Sequence, residues 1–257
     1  MSYAFGDSDL AAERLRCLAA VFAGSTHAFL TQAVDARPGL AVDLGCGPGD
    51  TTHFLAEVLR CHQTVGIDSS PHFIAKAQET ATERVTFRYH DFTDIPFPDG
   101  SAELLYARFV LTHMADPKGV LEGWATQLRP NGLMLLEETE WIHTSQPAFA
   151  TYLRIVEALL AHQANILYIG TRLNQLPPPV HLRRRSSHVA TLPVTTQDAA
   201  RMFSMNIQTW KHNPYIQTRH TSDEIARLEQ ELLTLTAADS DAPEIEWGLR
   251  QLVFQRD

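Results

Sequence analysis

The sequence predicts an α/β fold, a largely parallel sheet with helices packed against it, and three observations support this. A short apolar run, Leu40-Ala41-Val42-Asp43-Leu44, empties into Gly45-Cys46-Gly47-Pro48-Gly49 and is followed by a helical pattern over residues 51–59. Two more short apolar runs, near residues 64–68 and 85–91, again end in an acid. The helical pattern after the first run completes a strand, turn and helix, the start of a nucleotide-type βαβ unit.

Before the first strand, residues 8–33 carry Leu15, Leu18, Val21, Phe22, Phe29 and Leu30 at mostly helical spacing, with Ser8 or Asp9 available as N-cap. One or two helices are expected there. The first strand then breaks into the glycine loop, where Gly45 and Gly47 permit positive φ and leave no side chain between the main chain and a ligand. The second and third strands follow as Thr64-Val65-Gly66-Ile67-Asp68 and Val85-Thr86-Phe87-Arg88-Tyr89, and a later one spans residues 133–139. Beyond Gln146-Pro147 the character changes. Over residues 149–176 the apolar positions Tyr152, Ile155, Val156, Leu159, Leu160, Ile166, Leu167 and Leu173 predict a helix pair or one broken helix, an added cap. Pro177-Pro178-Pro179 forces an extended segment, and residues 188–194 predict a strand. Helices over 196–212 and 222–237 follow, the second opened by the capping box from Thr221 to Glu224, and residues 246–254 read as a last strand.

The loop sets the ligand class. A G-x-G-x-x-G dinucleotide site beginning at Gly45 needs its third glycine at position 50, where this chain has Asp50. An acid at the start of that helix repels a pyrophosphate. S-adenosylmethionine (SAM), an adenosine carrying a sulfonium cation and an amino acid tail, has no phosphate and suits acids. Asp43 can face its positive end, and Gly45, Cys46 and Gly47 can accommodate the amino acid portion. Asp68, followed by Ser69, lies about twenty residues after the glycines, as expected of a ribose-binding acid. Asp91 can accept from the adenine amino group, with Phe92 against the ring face.

In these blocks the chain resembles the class I SAM-dependent methyltransferases of small-molecule, natural-product or metabolite type. The resemblance rests on residues 42–49, 65–69 and 90–92, and on Leu128-Arg129-Pro130-Asn131-Gly132-Leu133, in that order. The last block departs from the family's L-[KR]-P-G-G turn in having Asn131 for the first glycine, a residue that tolerates left-handed φ. Residues 97–117 resemble the fourth strand and its following loop. The resemblance covers roughly residues 38–140. It implies a seven-stranded Rossmann-like sheet in the order 3-2-1-4-5-7-6 with strand 7 antiparallel, a site at the carboxyl ends of strands 1 to 4, and S-adenosylhomocysteine (SAH) as product. It also implies a helical N-terminal lid in which Tyr3 closes over the cofactor, while Arg108, at the end of the fourth strand, can contact the cofactor through side chain or backbone or pair with an acid.

The expected organisation is a lid at 1–36, a SAM-binding core at 37–145, a helical cap insertion at 146–187, and the rest of the core with added helices at 188–257. The formal charge of −9 over 257 residues argues against a nucleic acid substrate, and His181-Leu182-Arg183-Arg184-Arg185 is the only dense basic run. No apolar run reaches eighteen residues and no signal peptide pattern opens the chain, so a cytoplasmic protein off the membrane is expected, as monomer or homodimer. Cys17, Cys46 and Cys61 read as free thiols. The histidines lack a local ligand spacing, so no metal is expected.

Methyl transfer is an in-line displacement on an activated carbon, which asks the protein for alignment, dryness and, for a hydroxyl acceptor, proton removal. His113, after the fourth strand, is the candidate base. Trp141 and His143, leaving the fifth strand, and Tyr168 and Arg172 on the cap are the candidate acceptor pocket. The expected activity is transfer to a small molecule, with oxygen ahead of nitrogen and carbon. The alternative is an enzyme that holds SAM while catalysing a cyclisation or rearrangement; a dehydrogenase and a non-catalytic binding protein rank below it.

Overall fold

The computed structural model describes residues 6–237 and 244–257; Tyr3 lies outside the described residues. A single helix α1 (Asp9–Ala33) precedes the sheet, its first turn capped by the Ser8 side chain, which accepts from the Ala11 N–H. Strand β1 (Leu40–Leu44) is buried along its whole length, as a central parallel strand covered on both faces must be. Helix α2 (Asp50–Leu59), strand β2 (Gln63–Asp68), helix α3 (Pro71–Gln78) and strand β3 (Val85–Tyr89) complete one half of the sheet. Strand β4 (Ala102–Arg108), a 3₁₀ turn (Leu111–His113), helix α4 (Pro117–Thr126) and strand β5 (Leu128–Thr144) begin the other. Asn131, at the tight turn inside the first residues of β5, takes φ 65°, the left-handed value expected of it.

Helices α5 (Pro147–His162) and α6 (Gly170–Gln175) follow, then strand β6 (Leu182–Val194), helices α7 (Thr196–Trp210), α8 (Pro214–Gln217) and α9 (Ser222–Thr236), and strand β7 (Ile245–Arg256). Strand β6 begins six residues earlier than its apolar pattern suggests and takes in the arginines of the basic run, because pairing with β7 runs from Leu182 opposite Arg256 to Val194 opposite Ile245. The sheet order is β3-β2-β1-β4-β5-β7-β6, with β7 antiparallel to both neighbours.

Two core layers cover the sheet. Phe29 and Leu30 of α1 and Leu55 of α2 pack on one face against Ala41, Leu104 and Leu135. On the other, Leu121 and Trp124 of α4 pack with Val42, Leu105 and Leu136. A third cluster joins α5, α7, α8 and α9 to Phe22 of α1 and to Ile245, Trp247 and Leu249 of β7. Its placement follows from strand length. Strand β4 pairs with β5 only as far as Glu137, whereas the β5–β7 ladder continues to Thr144 opposite Ile245. The antiparallel strands therefore overshoot the carboxyl ends of the parallel ones and carry the helical cluster beyond them. Among the described residues no helix is long and apolar enough to cross a membrane.

Candidate functional site

The site lies where strand order reverses, between β1 and β4, the position at which open α/β sheets bind ligands. There the glycine loop is pinned to the tip of β2. The N–H groups of Gly45 and Cys46 both donate to the Ile67 carbonyl, at 2.9 and 3.0 Å. One carboxylate oxygen of Asp68 accepts from the Gly47 N–H at 2.9 Å and the other from the Ser70 N–H at 2.8 Å. Burial pushes the Asp68 carboxyl up, against those backbone hydrogen bonds and with help from the charge of Asp7. Gly45 takes φ 72°, and a Cβ there would sit 2.7 Å from a methyl of Val110. Only glycine fits both the backbone angle and the space.

This loop forms one end of a cavity of about 450 Å³, a size in the range of small-molecule sites. Gly45, Cys46, Gly47, Asp68, Ser69 and Phe92 all line it, as does Arg108. Phe92 is fixed from behind by an edge contact with Trp124, whose indole N–H donates to the Phe92 carbonyl at 2.8 Å. Arg108 donates to the hydroxyls of Thr26 and Thr51, at 3.1 and 3.0 Å. Thr26 in turn donates to buried Glu137, which also accepts from Tyr106 and Gln251, so the guanidinium stands on a network crossing α1, β4, β5 and β7.

Two carboxylates expected at the ligand, Asp43 and Asp91, are not on the cavity wall. Asp43 is 2% exposed and lies beneath the loop, not on the cavity wall, accepting from the Thr52 hydroxyl at 2.7 Å. Burial pushes it up to about 6, against that hydrogen bond and the charge of Arg108. Its influence on a bound cation is through space. Asp91 is also off the wall and turns back on its own loop, where one oxygen accepts from both the N–H and the hydroxyl of Thr93.

The far end of the cavity is apolar and aromatic. Phe109, which leaves β4 at φ 57°, packs edge-on against Phe22 at 5.3 Å. Ile142, Leu153, Val156 and Leu167 add aliphatic wall, and Phe203 and Trp247 close it from α7 and β7. Tyr152 stacks on Phe203 at 4.0 Å, and its hydroxyl accepts from the Asn206 side-chain amide at 2.5 Å. Buried Glu138 holds the turn after Phe109, with one oxygen accepting from the N–H groups of Val110 and Leu111 at 2.8 and 2.6 Å. Burial outweighs those bonds and pushes the Glu138 carboxyl up to about 8.

The turn held by Glu138 presents His113, the candidate base, to the cavity. Removal from water, and then the guanidinium charge of Arg14, pull the imidazole down to about 3. A general base works best with its pKa near the working pH, so this ring is a neutral hydrogen-bonding group. The expected acceptor residues need a second correction. Trp141 and His143 are absent from the wall, which takes Thr139 and Ile142 from the same strand. A register shift between Thr139 and Trp141 inserts one residue into β5, and a one-residue slip turns every following side chain to the other face. Trp141 and His143 instead stack on each other at 4.3 Å, over Gly248, where a Cβ would run into the indole. On the cap, Leu167 reaches the cavity, while Tyr168 is half-buried off the wall and Arg172 is exposed.

Arg14, Tyr152, Phe203, Asn206 and Trp247 are wall residues that the sequence reading did not assign to the site. Arg14 left a signal: it interrupts the apolar face of α1 between Ala11 and Leu18. Asn206 left a similar one, set among Phe203, Ile207 and Trp210 on the buried face of α7.

Residues 42–136 match the methyltransferase domain family. An uncharacterized 37.1 kDa protein of transposon TN4556 from Streptomyces fradiae is 35% identical over 123 residues, covering 46% of this chain and 36% of that one. Phosphoethanolamine N-methyltransferase of Triticum aestivum is 32% identical over 109 residues, covering 41% of this chain and 21% of the relative. The chain thus spans well under half the length of these curated relatives. Among solved structures, coclaurine N-methyltransferase bound to N-methylheliamine and SAH shares the fold at 12% identity, with a TM-score of 0.56 over 91% of this chain and 72% of that one. The family match takes in the glycine loop, Asp68 and His113 and ends before Glu138 and the aromatic end of the cavity.

Proposed function

We propose that this chain, whose residues 42–136 match the methyltransferase domain family, is a class I SAM-dependent methyltransferase that methylates an oxygen atom of a small, largely apolar acceptor. The observation that carries this reading is a single cavity with two unlike ends: a bare, clamped glycine loop with an acid at one end, and an aromatic chamber at the other. The first end fits the cofactor: a Cβ at Gly45 would fill the cradle, and Asp68 has a carboxylate for the ribose hydroxyls. The second fits an apolar body.

When bound, SAM supplies a methyl group whose bond to sulfur breaks with its electron pair going to sulfur, while a lone pair of the acceptor oxygen forms the new bond, leaving SAH. The residues of the chain align and desolvate. Asp68 and the loop fix one reactant, Phe109, Tyr152, Phe203 and Trp247 enclose the other, and the dry wall between them prevents hydrolysis. Oxygen is preferred over an amine nitrogen on electrostatic grounds. The acids on the described wall, Asp7, Asp50 and Asp68, belong to α1's approach and to the glycine-loop end, which leaves no carboxylate in the aromatic chamber to hold an ammonium group. The cofactor is assigned to residues 37–145, and acceptor choice to the cap of 146–187 together with α7 and β7.

Incubation with methyl-labelled SAM and a metabolite extract tests the proposal. Labelled neutral or acidic product together with SAH release is expected. Substrate turnover with SAM unconsumed would instead establish the rearrangement chemistry, and label confined to amines would overturn the oxygen assignment.

A further inference from the structure

We propose that Asn206 is the specificity-determining residue of the aromatic chamber, and that the acceptor carries there a neutral group which both accepts and donates a hydrogen bond, a lactam or cis-amide edge being the best match. This rests on the methyltransferase reading above and adds what the chamber recognises on the acceptor.

Asn206 is 5% exposed and stands one turn after Phe203 on the buried face of α7, beside Ile207 and Trp210. It lines the cavity at the end that Phe203 and Trp247 close. Its amide has two N–H donors and a carbonyl oxygen with two lone pairs. One N–H donates to the Tyr152 hydroxyl at 2.5 Å. The carbonyl oxygen has the Thr209 hydroxyl at 3.5 Å, but that hydroxyl is committed to the Asn206 backbone carbonyl at 2.7 Å. A single O–H does not serve both at those distances. Among the described residues, therefore, the second N–H and the carbonyl oxygen of this amide are left to whatever fills the cavity.

Buried polar groups are hydrogen-bonded as a rule, and unspent capacity in an apolar wall asks for a partner. Support of Tyr152 does not account for it, since one donor suffices there, and Asn is a poor helix former on a helix face otherwise made of Ala, Met, Phe, Ile and Trp. What an amide does and a lone donor does not is to offer a donor and an acceptor together, as Asn does when it reads the adenine edge in DNA. A carboxylate brings acceptors only and an ammonium donors only, so either leaves half of the amide unmatched. A carbonyl beside an N–H satisfies both halves. Phe109, Phe203 and Trp247 give flat apolar wall, which places that edge on an aromatic or similarly planar body. Because Asn206 lies at the end of the cavity away from Asp68, it holds the acceptor by a group other than the oxygen that receives the methyl group, and this remote contact turns that oxygen toward the cofactor.

The test titrates two probes into the full chain saturated with SAH near neutral pH: 2-quinolone, which carries a carbonyl beside a ring N–H, and quinoline, the same ring system with an acceptor nitrogen alone. 2-Quinolone should bind roughly tenfold more tightly, the range of one to two neutral hydrogen bonds made in a dry site. Asn206→Leu, close in volume and apolar, should bring the two probes within about threefold of each other by weakening 2-quinolone, with quinoline and SAH affinities each changed less than about threefold. A purely structural role of Asn206 would weaken both probes together, and that result overturns the inference. So do equal binding of the two probes by the wild-type chain, binding of neither, and an Asn206→Leu chain that keeps the preference. Should Asn206→Leu fail to fold, Asn206→Ala, which adds no bulk, is read by the same ratio. Failure of the wild-type chain to bind SAH overturns the cofactor reading instead, and the probe ratio is then read on the free protein.

Discussion

Replacing Asp68 by Asn isolates the acid at the tip of β2 with almost no change of shape. In the structure its two oxygens accept from Gly47 and Ser70 at 2.9 and 2.8 Å. Asn offers a single oxygen, so whichever bond survives, its amide group is turned toward the other N–H, donor against donor. Folding loses about one charge-assisted bond, worth roughly 1.5–3 kcal/mol, but regains the cost of a partly desolvated carboxylate, so the two nearly cancel. The expected Tm change is within roughly 4 °C, equivalent to about 1 kcal/mol for a chain of this size. Binding has no such offset. Two ribose hydroxyls lose a charged acceptor and the Gly47 backbone is no longer clamped, for a loss of about 3 kcal/mol, or roughly a hundredfold in SAH affinity. Thermal unfolding and calorimetric titration with SAH on the same preparations separate the two effects. SAH affinity within threefold of the wild type would refute the role given to Asp68, as would a loss of affinity matched by an equal loss of stability.

Gly45→Ala combines a left-handed φ with a Cβ 2.7 Å from Val110, and should destabilise the chain by about 2–4 kcal/mol in denaturant unfolding, with SAH binding lost in parallel. Glu138→Gln addresses a carboxyl raised to about 8. A raised acid binds more protons folded than unfolded, so its contribution is fully present below about 4.5 and is lost as pH rises toward 8, to the extent of a few kcal/mol. The Gln chain, which mimics the neutral form, should show a flatter stability profile over that window, and an unchanged slope would contradict the assignment. The acidic limb of the kcat/KM profile should show no ionisation near 6.5 from His113, and His113→Gln should leave the profile's shape unchanged; a limb that disappears in the variant would return the base role to this ring. Asp43, raised to about 6, should favour the sulfonium more as it ionises. The ratio of SAM to SAH affinity is therefore expected to climb between about pH 5 and 7 and to lose that trend in Asp43→Asn.

The glycine-loop end of the cavity is legible in the sequence because its determinants are local. Gly45 and Gly47 follow directly on an apolar run, and Asp68 ends the next one, so strand, loop and acid appear as neighbours along the chain. Sheet order came with the family resemblance and agrees with the observed pairing. The acceptor end was not legible, for three separate reasons. One inserted residue in β5 reversed the facing of Trp141 and His143, and a bulge leaves no mark in an apolar pattern. Tyr168 sits in the irregular stretch between α5 and α6, where helical spacing no longer tells which side a residue faces. Phe203, Asn206 and Trp247 reach the cavity from α7 and β7, ninety or more residues after His113, and only the overshoot of the antiparallel strands brings them over the loop. The position of Asp43 beneath the loop has a simpler cause. An acid at a strand end can point up to a ligand or down to the next helix, and Thr52 on α2 draws it down.

Titration of the wild-type chain with SAH, with NAD as control, tests the account most directly. One site per chain with a dissociation constant in the micromolar range, about −8 kcal/mol, and no heat from NAD is the predicted result. Absence of binding by both SAM and SAH, or saturation by NAD in their place, would contradict it.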